Sequence, residues 1–156
     1  MQLDQLLTPQ RILNHHSATS KKRALEIMCE LLASGQSGLN ESQIFASMLE
    51  RERLGSTGVG NGVAIPHSRM EGVESALIAF ATLDAGVDYD SPDGEDVDML
   101  FALLVPQECT EEHLKILASA AEMFSDQDFC QELRQSRDAE ETFQKLTAWE
   151  PEREEA

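Results

Sequence analysis

The chain has no apolar run approaching the roughly 20 residues that a membrane-crossing helix needs. Its opening "MQLDQLLTPQ" also lacks the basic segment and long apolar stretch of a secretory leader. A cytoplasmic protein without membrane insertion is therefore expected. Cysteine is scarce: Cys29, Cys109 and Cys130 lie far apart, form no C-x-x-C pair and are odd in number. That argues against a disulfide framework or a zinc knuckle and fits a reducing compartment. Basic residues are few, 12 against 29 acidic, for a formal net charge of −17. Such a chain repels nucleic acid and anionic membranes and suits a partner with a basic face. Solubility alone is the plainer account of the acidity. Internal repeats and low-complexity linkers are absent too.

What is present fits one domain with a full-sized core: 156 residues, 41% hydrophobic and 26% charged. "SKKRALEIMCELLASG" begins with an N-cap at Ser20 and ends at Gly35, and Ala24, Leu25, Met28, Leu31 and Leu32 recur at helical spacing. Cys29 falls within that pattern as a core residue. "NESQIFASMLERERLG" predicts a second helix, with Asn40 and Gln43 approximating a capping box and Ile44, Phe45, Met48 and Leu49 as the buried stripe. Arg51 and Arg53 then sit in its last turn. "GVAI" is a short strand. "ALIAFATL" (76–83) and "VDMLFALLV" (97–105) have the length and continuity of strands buried on both faces. Thr110 caps a third helix with Leu114, Leu117, Ala118, Ala121 and Phe124 inward, and short helices follow near 126–136 and 139–147. Helices around buried strands predict an α/β sandwich on a mixed sheet.

Chemistry concentrates in "GSTGVGNGVAIPHSR", residues 55–69. A nucleotide P-loop needs a lysine that reaches the phosphates, and no lysine lies between Lys22 and Lys115. A dinucleotide loop runs from strand to helix, whereas Gly58, Gly60 and Gly62 run from helix to strand. The glycines still allow backbone amides to point into a small cavity. His67 follows Pro66, which restricts the backbone on either side and presents one imidazole rigidly. A lone histidine in a turn usually has no such role. Against that plain reading stand the glycines, the upstream arginines and a second histidine, His113, in the first turn of a helix. A helix N-terminus favours a bound phosphate. Zinc is a poor fit, because His67 and His113 are too few ligands and the adjacent His15 and His16 point apart. No G-x-S-x-G elbow supports serine hydrolysis.

"RERLGSTGVGNGVAIPH" and "EEHLKILASAAEMF" together resemble the active segments of IIA proteins of the bacterial phosphotransferase system, fructose/mannitol class. Within the class the chain is most similar to the nitrogen-regulatory branch. The likeness runs from "LLTP" to about residue 147. It implies a three-layer α/β sandwich with a mixed, roughly five-stranded sheet and helices on both faces. It implies one domain over residues 1–149, with residues 150–156 an acidic, frayed tail. It implies that His67 accepts a phosphoryl group at Nε2 from an HPr-type phosphocarrier, without metal or cofactor. His113 matches the second histidine and Arg51 the family arginine, sixteen residues before His67. Amides around Thr57, Gly58, Gly60 and Gly62 would bind the phosphoryl oxygens. Two roles follow for such a protein. As a regulator it would act through its phosphorylation state on targets such as a potassium transporter or a sensor kinase. As a sugar-transport component it would pass the group to a IIB cysteine. One departure stands out: mannitol-type members have an acidic residue where this chain has Asn61.

Overall fold

The computed structural model describes residues 3–34 and 39–150. Gly35 and most of the acidic tail lie outside that range. A short helix α1 (Leu3–Leu6) leads through a 3-10 turn into β1 (Ile12–His16). Helices α2 (Lys21–Ala33) and α3 (Glu41–Arg53) follow, then β2 (Gly58–Gly60), β3 (Val63–Ala64) and β4 (His67–Met70). The long strands are β5 (Leu77–Val87) and β6 (Val97–Pro106). Helices α4 (Thr110–Phe124), α5 (Gln127–Arg134) and α6 (Ala139–Ala148) complete the order. Four helix starts are closed by side chains: Ser20, Asn40, Asp126 and Asp138 each accept from an N–H three residues on. These are the donors that a helix otherwise leaves unsatisfied.

The sheet has six strands in the order β1-β5-β6-β3-β2, with β4 also on β6. β1 runs parallel to β5, β5 antiparallel to β6, and β3 and β4 both parallel to β6. β3 and β4 form one line along β6, broken at Ile65–Pro66. The Leu103 N–H continues the ladder across the break by donating to the Pro66 carbonyl at 3.0 Å. The roughly five strands expected are therefore six, because proline has no N–H to keep the line unbroken.

Both long strands are buried on two faces, which explains their near-continuous apolar sequence. Along β6, Leu100, Ala102 and Leu104 pack with Leu25, Met28, Ile44 and Met48 of α2 and α3. Met99, Phe101, Leu103 and Val105 pack on the other side with Ile116, Phe124, Leu133 and Leu146 of α4, α5 and α6. The period of two splits one strand between two cores, giving the three-layer sandwich. Phe124 sits between Phe80, stacked at 6.1 Å, and Phe101, edge-on at 5.5 Å.

Two expectations need correction. The inward face of α4 is His113, Ile116, Ala120, Met123 and Phe124. Ala118 and Ala121 are exposed, Leu117 is half-buried and Leu114 is 63% exposed. Both stripes satisfy helical spacing, and placing His113 inside selects the one about one residue round. Thr110 opens α4 without capping it: Cys109 holds the cap position with no side-chain bond, and the Thr110 hydroxyl accepts from Arg69 instead. Strands β1, β2 and β4 had no expectation at all. Each is short, and β1 and β2 are edges with little burial pattern to read. From the packing, Phe124→Ala should lower unfolding free energy by about 3–5 kcal/mol. Denaturant unfolding checks this; a loss below about 1 kcal/mol would contradict the shared aromatic contact.

Candidate active site

His67 opens β4, opposite Leu103 of β6. Its Nδ1 lies 2.7 Å from the carbonyl oxygen of Ile65, two residues back. A carbonyl oxygen can only accept, so Nδ1 carries the ring proton and Nε2 keeps its lone pair. The Arg51 Nε–H donates to that Nε2 at 3.3 Å. The same guanidinium, through Nη1, donates to the Gly55 carbonyl at 2.9 Å. Arg51 is thus held at two points, the imidazole and the turn after α3.

His113 reaches the same place from α4. The two imidazoles lie edge to face, centroids 5.2 Å apart at 77°. His113 is 8% exposed, and its Nε2 has no hydrogen-bond partner among the described residues. A cleft of about 740 Å³ surrounds the pair, lined among others by Ser47, Arg51, Leu54, Ser68 and Arg69. Ser47 and Arg51 are one turn apart on α3, so both face the cleft. The Ser47 and Ser68 hydroxyls are hydrogen-bonded to each other. Arg69 donates to Thr110 at 2.8 Å, bringing a second guanidinium to the cleft.

Sequence reasoning located His67, His113 and Arg51, and the fold brings the three together. It missed Arg69, Ser47 and Ser68. The signal for Arg69 was its place two residues after His67: on a strand, residues i and i+2 share a face.

The glycine segment lies elsewhere. Thr57 is buried, its N–H and hydroxyl both donating to the Glu52 carboxylate. Gly58 packs against Ser91, where a Cβ would collide. Gly62, at φ +77°, packs against Arg134 and Asp98, and Gly60 is in the same hairpin at φ +100°. None of the four is among the residues lining the His67 cleft. The lack of a side chain at Gly58 and Gly62 serves close packing in the β2–β3 hairpin, and the expectation that amides around Thr57, Gly58, Gly60 and Gly62 bind phosphoryl oxygens gains no support from the cleft. Asn61 belongs to that hairpin too. Its side-chain N–H donates to the Phe124 carbonyl at 2.9 Å, while its backbone carbonyl accepts from Arg134. A carboxylate there would set acceptor against acceptor.

Electrostatics keep both rings neutral. Burial lowers the His67 pKa, and the Arg51 cation lowers it further, against the opposing Ile65 bond and Glu52 carboxylate. Burial, then His67 and Arg69, bring His113 from 6.5 to about 4. Near neutral pH, His67 Nε2 is therefore an unprotonated nitrogen beside the Arg51 guanidinium, the state a nitrogen nucleophile requires.

Comparisons with known proteins define the family. The model for the phosphoenolpyruvate-dependent sugar phosphotransferase system EIIA 2 family matches residues 5–148, and the chain belongs to that family. Among its relatives is a nitrogen regulatory protein of Pseudomonas aeruginosa, 45% identical over 144 residues, covering 92% of this chain and 94% of the relative. A nitrogen regulatory protein of Bradyrhizobium diazoefficiens is 41% identical, covering 94% and 95%. The crystal structure of nitrogen regulatory protein IIA-Ntr from Neisseria meningitidis superposes with a TM-score of 0.87 at 38% identity, covering 92% of this chain and 98% of that one. The mannitol IIA of Escherichia coli shares the fold at a TM-score of 0.74 and 20% identity.

Two outcomes follow from the geometry. Asn61→Asp should cost about 1–2 kcal/mol of stability, because the Phe124 carbonyl loses its donor; an unchanged urea midpoint would contradict this. The folded protein also binds a proton at His113 less tightly than the unfolded chain does. Stability from the neutral ring is complete above pH 6.5 and is lost as pH falls towards 4. His113→Gln should therefore lose less stability than the wild type between those pH values, measured by urea unfolding at each. An equal decline would contradict the buried neutral ring.

Proposed function

We propose that this chain is a phosphoryl-accepting IIA protein, phosphorylated on His67 by an HPr-type phosphocarrier and acting mainly as a regulator through its phosphorylation state. The observation that carries this reading is the imidazole pinned at Nδ1 by Ile65, which leaves Nε2 unprotonated and accepting from Arg51 in the cleft. In the transfer, the bond between phosphorus and the carrier nitrogen breaks while a bond to Nε2 forms. The leaving electron pair stays on the carrier imidazole. Positive charge develops on the His67 ring, and the Ile65 carbonyl, accepting from Nδ1–H, stabilises it. Arg51 can move from Nε2 to a phosphoryl oxygen with little displacement. His113, with its unpartnered Nε2, offers a further polar contact. The donor is already an activated phosphoramidate, so the reaction needs no nucleotide or metal.

The regulatory role draws on relatives named nitrogen regulatory protein at 41–45% identity, against 29% for a fructose-specific EIIA component of Haloferax volcanii. A new charge of about −1.5 to −2 at His67 would change what docks on the cleft. The other role, passing phosphate to a IIB cysteine, has a fold-level counterpart in the complex of mannitol IIA with phosphorylated IIB from Escherichia coli. Sugar-dependent loss of label from the phosphorylated protein, with a IIB component added, would favour that role.

Incubation with a phosphorylated carrier should label the protein in an acid-labile, base-stable form. His67→Ala should abolish the label, and His113→Ala should slow labelling while leaving the acceptor. Persistent labelling of His67→Ala would overturn the assignment.

A further inference from the structure

One residue beyond Arg51, Glu52 is a carboxylate buried to 2% side-chain exposure. Each of its oxygens has two partners. Oε1 faces Lys21 Nζ at 3.0 Å and the Thr57 N–H at 3.2 Å. Oε2 accepts from the Tyr89 hydroxyl at 3.1 Å and from the Thr57 hydroxyl. Lys21 is the first residue of α2 and also lies over the Tyr89 ring, 4.6 Å from its centre. Burial beside Glu52 raises the Tyr89 pKa well above its ordinary value, so the phenol remains a donor.

A buried ion pair gives little net stability compared with apolar residues of the same shape, because desolvation offsets the attraction. What the Glu52 cluster does supply is geometry. It joins the end of α3 to Thr57 and closes the turn from Arg53 to Ser56. Within that turn Ser56 donates to the Tyr89 carbonyl at 3.0 Å, fixing it a second time. The Gly55 carbonyl in the same turn receives the Arg51 Nη1 bond. Without that anchor, Arg51 is a long, flexible side chain held only by a 3.3 Å bond to His67.

We propose that Glu52 is a positioning residue for this site: its buried carboxylate sets the 53–56 turn, and the Gly55 carbonyl in that turn holds Arg51 against His67 Nε2. The inference rests on the reading of His67 as the phosphoryl acceptor. Glu52 touches neither the imidazole nor the transferred group. It acts on Arg51 through Thr57 and Gly55, and its charge separately raises the His67 pKa.

The test uses the full chain with Glu52→Gln and with the double variant Lys21→Met, Glu52→Gln. The single change leaves the Lys21 cation without its carboxylate, and the double change removes that cost. Three quantities are read: melting temperature, the rate of phosphoryl transfer against carrier concentration, and the Arg51 Nε–H resonance, slowed in exchange while bonded to His67. The double variant should melt close to the wild type. Its transfer rate at saturating carrier should fall roughly tenfold to a hundredfold, with the half-saturating concentration unchanged. Its Arg51 resonance should exchange faster. Wild-type transfer and an unchanged Arg51 signal in a folded double variant would overturn the proposal. So would loss of rate strictly in step with melting temperature, the mark of a purely structural role. Should the wild type accept no phosphoryl group, the functional reading fails by itself, and the Arg51 resonance still decides the positioning.

Discussion

One hydrogen bond governs the site: the His67 Nδ1–H to the Ile65 carbonyl at 2.7 Å. It decides which nitrogen is nucleophilic, where the ring points and how charge on the ring is met. The bond spans a single residue, Pro66, whose ring limits both its own backbone and that of Ile65. The sheet supports it from outside. Leu103 of β6 reaches the Pro66 carbonyl, so the break between β3 and β4 is held in register with a long, almost fully buried strand. The proposed acceptor role needs a stationary nitrogen, and here stationarity comes from sheet geometry, with no rigid loop required.

The helical layers bring the charge. α3 ends against the cleft, and its last turn carries Arg51. α4 begins there, and its first turn carries His113. Each helix buries its stripe on a different face of the sheet, so the two meet only at the edge where β4 lies. The cations are local, in a chain of net charge −17. Burial first, and these cations with it, lower the pKa of both histidines, which keeps His67 Nε2 unprotonated.

Much of this was legible in the sequence, for identifiable reasons. α2 and α3 declared themselves by stripes at helical spacing and by side-chain caps, and β5 and β6 by continuous apolar runs. His67, His113 and Arg51 were found from their chemistry and from the family resemblance. Edge strands hid, since three glycine-rich residues in β2 or a polar run in β4 have no burial pattern. The α4 stripe was misplaced because two stripes fit helical spacing, and the inward one includes a histidine. The glycines were assigned to the phosphate by analogy with amide cradles, while their neighbours are Ser91, Asp98 and Arg134. Arg69 was overlooked for the same reason as β4: without the strand, its shared face with His67 was invisible. Glu52 gave no sign at all, because a glutamate between two arginines at a helix end reads as a solvated charge.

The most direct measurement is a long-range proton–nitrogen NMR spectrum of the His67 ring near neutral pH. The account predicts a protonated Nδ1 and an unprotonated Nε2, in a ring that stays neutral to lower pH than an exposed histidine does. A ring protonated on Nε2 alone, or already cationic at neutral pH, would contradict it.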